Sequence, residues 1–134
     1  MTHLDTSFIV DLLREQARGT IGPARARLES LAGEPVAVSV FVACELEAGA
    51  ARAHRPAQER ERVRALWQAV GAAWPDARFA PKYGELLASV TARGLTMATM
   101  DLLIATQAVV EGAALVTRNR RHFEVISELT LVAY

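Results

Sequence analysis

The feature that most constrains the fold is the alternation of short apolar runs with longer stretches of helical periodicity. Strand-like runs occupy the first four residues and the segments Pro35–Val38, Ala114–Thr117 and Thr130–Ala133. Between them, apolar residues recur at steps typical of helices that bury one face. Strands separated by helices favour an α/β fold with a mainly parallel sheet. We expect the chain to form one domain over residues 1–134, long enough to bury a core without disulfides or structural metals.

Charge and cysteine content limit the classes of function. Fifteen basic and fifteen acidic side chains cancel, so any binding of nucleic acid must be local. Cys44 is the only cysteine, which excludes an intrachain disulfide, and we interpret it as a small buried apolar residue. We expect no secretory leader and no membrane contact, because the first residues lack a leader pattern and no uncharged apolar run reaches about 18 residues. The sequence thus predicts a cytoplasmic protein.

Two long helices are predicted between the second and the third strand-like run. The first begins at Pro56, directs Val63, Leu66, Trp67, Val70 and Trp74 inward, and ends at Pro75. The second begins at Pro81. We interpret both helices as architecture rather than chemistry.

Three predicted helices each carry one acidic residue near their start. Asp5 follows the first strand, Glu45 lies in the second turn of a helix that Ser39 is expected to cap, and Asp101 lies in the first turn of a buried helix. Parallel sheets bind ligands beyond the carboxyl ends of their strands, so the three acids are candidates for one site. The alternative is that each acid only stabilises the start of its own helix, which is common.

A cluster of three carboxylates requires a cation or protons. Two carboxylates about 4 Å apart repel each other by roughly 4 kcal/mol at an effective dielectric constant near 20. Hard oxygen donors without His or Cys select Mg²⁺ or Mn²⁺ over Zn²⁺. Such a metal polarises a phosphate and activates water. The pattern therefore favours phosphodiester hydrolysis, with Asp5, Glu45 and Asp101 as catalytic and metal-binding residues.

The chain resembles the PIN-domain ribonucleases, and among them the VapC toxins of bacterial toxin–antitoxin pairs. Four segments in this order carry the resemblance: Leu4–Ser7, Ser39–Gly49, Asp101–Ala105 and Leu115–Phe123. The resemblance covers nearly the whole chain and implies a three-layer α/β/α sandwich, an acid cluster that binds Mg²⁺ or Mn²⁺, cleavage of RNA, dimerisation and inhibition by a VapB-type antitoxin. Asp5, Glu45 and Asp101 match the acidic positions of the family.

The fourth acidic position of the family is not matched in this chain. Members often have an Asp at the position of Asn119 or of His122, which puts a two-metal mechanism in doubt more than hydrolysis itself. Asn119 still offers a carbonyl oxygen, without charge. Thr6, Ser7 and Thr117 bring hydroxyl groups near the predicted site, where we expect them to cap helices or to support ligands rather than to react.

A basic segment follows the strand that ends at Thr117. Arg118, Arg120 and Arg121 are candidate contacts for RNA phosphates, and a solvated loop is an equally weighted alternative. For His122 two roles are open, base stacking or proton transfer at the rim of the site, or docking of the segment onto the core. We favour docking, because no sequence pattern brings the imidazole within reach of a reacting group.

Two other functions remain open on the sequence alone. One is a catalytically weak PIN-fold module that binds RNA or protein without cutting, because Asn119 replaces an acid. The other is a phospho-receiver, which fits poorly because the only lysine, Lys82, lies at a predicted helix start rather than after a strand. Metal-dependent cleavage separates a nuclease from a binding module, and incorporation of phosphate identifies a receiver.

Overall fold

The computed structural model describes residues 1–134 and contains a five-stranded parallel sheet. The strands are β1 Thr2–Leu4, β2 Val36–Ser39, β3 Ala72–Ala73, β4 Ala114–Val116 and β5 Leu131–Val132. Their spatial order is β3-β2-β1-β4-β5, and every neighbouring pair is parallel. The four predicted strands and the mainly parallel sheet are therefore confirmed, and β3 is an addition that the sequence pattern did not indicate.

Helices flank this sheet. They are α1 Thr6–Arg18, α2 Pro23–Ser30, α3 Val40–Ala51, α4 Pro56–Val70, α5 Phe79–Ala92, α6 Thr99–Val110 and α7 Arg120–Phe123. All three residues of the central strand β1 are buried, although successive side chains of a strand point to opposite faces. Both faces of the sheet are thus covered, which confirms the three-layer α/β/α sandwich. No helix combines the length and the apolar character that crossing a membrane requires.

The strand order creates a crevice beside the central strand. The chain leaves β1 toward β2 on one side, whereas β4 pairs with the other side of β1 in the register Thr2↔Ala114 and Leu4↔Val116. The connections of the chain therefore diverge at the ends of β1 and β4. Ligand sites of parallel sheets form at such points, beyond the carboxyl ends of the strands. Asp5 directly follows β1, and its N–H donates to the Val116 carbonyl at 3.0 Å.

The core fills the space between the sheet and its helices. Phe8 and Ile9 of α1 are fully buried, as expected for a helix that buries one apolar face. Helix α6 is buried along most of its length, from Leu102 to Ala108, which agrees with its apolar sequence. The start of α6 is therefore fixed against the sheet, and so is the position of Asp101 in its first turn.

The predicted end of the helix that begins at Pro56 is wrong. The helix stops at Val70 because Gly71 adopts a φ of 77°, a conformation that only glycine tolerates well. The chain then pairs with the sheet edge as β3, in the register Val38↔Ala72. Trp74, which was expected to point inward, is 70% exposed.

The interpretation of Cys44 as a buried residue is also wrong, because the residue is exposed. Helix α3 buries Val42, Leu46 and Ala50, which recur at steps of four along one face. Cys44 lies two positions after Val42, about 200° around the helix from it. Its side chain therefore points away from the core.

Phe123 anchors the segment that follows β4, since its side chain is 1% exposed while its neighbours on α7 are exposed. We expect Phe123→Ala to lower the free energy of unfolding by about 3–5 kcal/mol, through lost burial and the cavity left behind. Urea unfolding measures this loss. Glu124→Ala, at the exposed neighbouring position, is the control and should change stability by less than about 0.5 kcal/mol. Similar stabilities of the two variants would contradict the anchoring role.

Candidate active site

All three predicted acids line one polar cavity at the carboxyl edge of the sheet. The cavity has a volume of about 250 Å³, and we call it the acid cavity; its walls are formed by Asp5, Thr6, Ser7, Val10, Glu45, Asp101, Arg118 and Asn119. Three secondary-structure junctions contribute to it, at the starts of α1, α3 and α6. The expectation that the acids converge on one edge of the sheet is therefore met by the geometry.

The Asp5 side chain is held by hydroxyl groups and not by backbone N–H groups of the helix that follows it. The residue is 3% exposed and occupies the position before α1, yet its side chain caps no backbone N–H. Its Oδ2 accepts hydrogen bonds from Ser7 Oγ at 2.9 Å and from Thr117 Oγ1 at 2.7 Å. The alternative that Asp5 is a simple capping residue is thus wrong, and Oδ1 is left without a protein partner.

Glu45 reaches the cavity because Ser39 fixes the start of α3. Ser39 Oγ accepts from the Val42 N–H at 3.2 Å, which confirms the predicted cap and sets Glu45 in the second turn. Glu45 Oε1 accepts from Thr6 Oγ1 at 2.6 Å. The hydroxyls of Thr6 and Thr117 therefore each support one of the acids, as expected.

Asp101 and His122 lie next to each other at the rim of the acid cavity. Asp101 Oδ2 is 3.3 Å from His122 Nδ1, and the histidine side chain is 60% exposed. The favoured interpretation, that His122 docks the segment onto the core, is therefore wrong. Phe123 does the docking, and on so short a helix its neighbour His122 points outward, toward the site.

Each acid uses one carboxylate oxygen for a protein contact and keeps the other free. Asp5 Oδ2, Glu45 Oε1 and Asp101 Oδ2 have partners. Three free carboxylate oxygens are the hard donors that Mg²⁺ and Mn²⁺ prefer. The donor chemistry thus fits a divalent cation, although no three acidic, His or Cys side chains are already arranged as a metal-binding group. A cation would have to draw the carboxylates together against their mutual repulsion.

The segment after β4 contributes Asn119 and Arg118 to the acid cavity. The Asn119 N–H donates to Thr117 Oγ1 at 3.0 Å, and its side-chain amide makes no hydrogen bond to the protein. Arg118 Nη1 donates to Asp11 Oδ1 at 2.7 Å, and the other oxygen of Asp11 accepts from the Tyr134 hydroxyl at 2.6 Å. Arg118 is therefore tethered at the cavity wall rather than free in a solvated loop.

Asp11 is a residue that sequence reasoning missed. The available signal was its spacing: Asp11 follows Ser7 by four residues on α1 and so lies on the same side of that helix. Its role could not be read from spacing alone, because its partners Arg118 and Tyr134 are more than a hundred residues away in sequence.

A second cleft adjoins the acid cavity at Asp101. We call it the α6–α7 cleft; it has a volume of about 250 Å³ and is lined by Thr96, Met97, Ala98, Asp101, Arg121, His122 and Val125. The structure thus separates the candidate RNA contacts. Arg118 lines the acid cavity, Arg121 and His122 line the cleft, and Arg120 is exposed and lines neither.

Comparison with known families agrees with this arrangement of helices and strands. Residues 3–129 match the model of the PIN domain. The chain belongs to the PIN domain family.

Relatives of this PIN domain are known by sequence and by structure. The chain is 32% identical to Ribonuclease VapC2 of Rickettsia felis over 105 residues, 78% of each chain. It is 28% identical to Ribonuclease VapC1 of Methanocaldococcus jannaschii over 131 residues, 98% of this chain and 85% of the relative. The crystal structure of VapBC2 from R. felis bound to a DNA fragment from their promoter matches with a TM-score of 0.90 at 28% identity, covering 99% of this chain and 98% of the matched chain.

The negatively charged forms of Glu45 and Asp101 are disfavoured in this PIN domain. Burial raises the pKa of Glu45, and the negative charges of Asp5 and Asp101 raise it further against the opposing hydrogen bond from Thr6. Burial likewise raises the pKa of Asp101, which His122 lowers and Asp5 raises again. Between the ordinary and the raised pKa the folded protein binds more protons than the unfolded chain, so its stability falls as pH rises through this window.

We therefore expect Glu45→Gln and Asp101→Asn each to stabilise the metal-free PIN domain at pH 7. The gain should be at most about 1 kcal/mol, because solvent screens these partly exposed carboxylates. It should vanish well below the ordinary pKa values of Asp and Glu, where both carboxyl groups are protonated in the folded and in the unfolded protein. Thermal melts in EDTA across this pH range measure the gain. Glu47→Gln, exposed on the same helix and outside the acid cavity, is the control. A gain of equal size in the control would argue against a shared acid site.

Proposed function

We propose that this chain is a metal-dependent endoribonuclease that acts as the toxin of a toxin–antitoxin pair. The observation that carries the proposal is the convergence of Asp5, Glu45 and Asp101 on one cavity, each with a free carboxylate oxygen. Support comes also from relatives named as VapC ribonucleases, at 28% and 32% identity. RNA as substrate further favours a cytoplasmic location.

The proposed cofactor is Mg²⁺ or Mn²⁺, held by Asp5, Glu45 and Asp101. Such an ion supplies Lewis-acid polarisation of the scissile phosphate and activation of water. The chain itself orients the ligands: Ser7 and Thr117 fix Asp5 through one oxygen, and Thr6 fixes Glu45. Hydrogen bonds of this kind hold a carboxylate in the rotamer that a metal needs.

RNA binding is proposed to rest on local positive charge, because the net charge of the chain is zero. Arg118 is the first candidate, since it lines the acid cavity and has only its Nη1 committed to Asp11. Its remaining guanidinium N–H groups are suited to phosphate oxygens. Asn119 adds a neutral amide oxygen that can accept a hydrogen bond from water at the cation or bind the cation itself.

The proposed regulator is a VapB-type antitoxin. This proposal is supported by the VapBC2 structure from R. felis, because this chain matches one chain of that structure over nearly its whole length. A partly apolar groove of about 360 Å³ adjoins the acid cavity, shares Thr6, Val10 and Glu45 with it, and includes Leu13, Leu46 and Val63. An amphipathic antitoxin segment in this groove would end beside the acids. A homodimer is proposed as well, supported by large exposed apolar residues such as Trp74.

The second candidate function is a PIN-fold module that binds RNA or protein without cutting. It is favoured by Asn119 in place of an acid and by carboxylates that are not prearranged around a metal. The cleavage assay below decides between the two functions.

We expect Asp5→Asn, Glu45→Gln and Asp101→Asn each to reduce RNA cleavage by at least about 100-fold. Loss of a hydrogen bond that supports a metal ligand typically lowers activity about 10- to 100-fold, and loss of the ligand itself should lower it more. Thr6→Val, which removes only the hydrogen bond to Glu45, should reduce cleavage by about 10- to 100-fold. Cleavage of single-stranded RNA with Mg²⁺ or Mn²⁺ measures the effect, with Glu47→Gln as the control. Full activity in any acid variant, or in excess EDTA, would refute the mechanism.

We expect Asn119→Asp to raise the affinity for Mn²⁺ and to lower the melting temperature of the metal-free protein. The substitution adds an anionic oxygen with nearly unchanged shape to a cavity that already holds three acids. With Asn119 in place, we expect one tightly bound ion. Calorimetric titration and thermal melts with and without Mn²⁺ test both effects. If neither quantity changes, Asn119 does not act on the acid cluster.

A further inference from the structure

Apart from Asp101, the residues of the α6–α7 cleft have no part in the hydrolysis proposed above, yet the cleft opens beside the acids. Asp101 belongs to the walls of both the cleft and the acid cavity. A ligand that extends from one cavity into the other would therefore pass Asp101. In a chain of nucleotides, a base lies close to the phosphate to which its sugar is attached, so neighbouring cavities of different chemistry suit neighbouring parts of one strand.

The cleft combines an apolar floor with an exposed aromatic ring. Met97 and Val125 are partly buried and pack against the core, while the imidazole of His122 is exposed at the rim. Single-stranded RNA is commonly bound by stacking of its bases on aromatic or guanidinium planes, His and Arg included. The volume of about 250 Å³ lies below the roughly 300–1,000 Å³ of pockets that enclose drug-sized ligands, and so suits a single ring system.

The cleft also offers polar groups that are not used within the protein. The backbone N–H and C=O groups of Thr96 and Met97 make no hydrogen bond to another residue, and such groups can pair with the edge of a base. Arg121 is exposed on the same wall and forms no ion pair. Its guanidinium can bind a phosphate or stack on a base.

We propose that the α6–α7 cleft binds one nucleobase of single-stranded RNA, adjacent to the phosphate in the acid cavity, with His122 as the stacking residue and Arg121 as the flanking cation. This inference rests on the proposed function, and it makes the cleft the part of the protein that selects which nucleotide flanks the cleavage position.

Binding is tested without cleavage, in the Glu45→Gln background with EDTA. Fluorescence anisotropy measures the affinity for short single-stranded RNAs that differ in one base. His122→Ala should weaken binding by about five-fold or more, the lower range for loss of one stacked base. Arg121→Ala should weaken binding as well, because it removes the cation beside the bound nucleotide. His122→Phe keeps a flat ring and should restore most of the affinity. Arg120→Ala removes the same charge from the same short helix outside the cleft, and should weaken binding less than Arg121→Ala.

Cleavage is then mapped with Mg²⁺ in proteins that retain Glu45. His122→Ala should relax the preference for the nucleotide beside the cut, whereas Arg120→Ala should keep the wild-type pattern. If wild type cleaves RNA but Arg121→Ala binds like Arg120→Ala, or His122→Phe binds as weakly as His122→Ala, the nucleobase site is refuted and the proposed nuclease stands. If wild type cleaves no RNA while the binding differences persist, the nucleobase site stands and the nuclease is refuted.

Discussion

The parallel pairing of β1 with β4 is the contact on which the rest of the molecule depends. These two strands are far apart in sequence, and their alignment brings Asp5 beside Thr117 at the point where both strands end. The backbone contact from Asp5 to Val116 extends the pairing by one more hydrogen bond. The acid cavity is thus a direct product of sheet register, because a shift of one residue would turn Asp5 to the opposite face.

Clustering of the acids is opposed by their charge, and the fold compensates only partly. Hydroxyl donors from Ser7, Thr6 and Thr117 satisfy one oxygen of Asp5 or Glu45, while the second oxygen stays unpaired. Hydrogen bonds from the protein to both oxygens of each carboxylate would offset the cost of burying these charges, but they would leave no free oxygen to bind a cation. The site therefore holds its carboxylates in position at a cost in stability, as functional sites commonly do.

Local signals predicted much of the fold and the site, whereas features set by tertiary packing escaped them. The cap at Ser39 and the periodicity around it were sufficient to direct Glu45 correctly, since both lie within one helix. Trp74 was misassigned because the apolar period continues past Gly71, and only the sheet edge shows that the chain turns there. The orientation of His122 could not be predicted, because Phe123 competes with it for the core and the choice depends on space left by other elements.

The short helix α7 has an evolutionary consequence. Its single buried residue, Phe123, fixes the helix, while Arg121 and His122 project outward without supporting the core. The acids, in contrast, lie near the starts of three helices, α1, α3 and α6, and the positions of these helices depend on their packing against the sheet. Arg121 and His122 can therefore change between homologues at little risk to folding, whereas Met97 and Val125 of the same cleft pack against the core and Asp101 belongs to the acid cavity. If the α6–α7 cleft binds a nucleobase as proposed, related proteins of this architecture can differ at these two positions in the RNA sequence that they prefer and still keep the same acids.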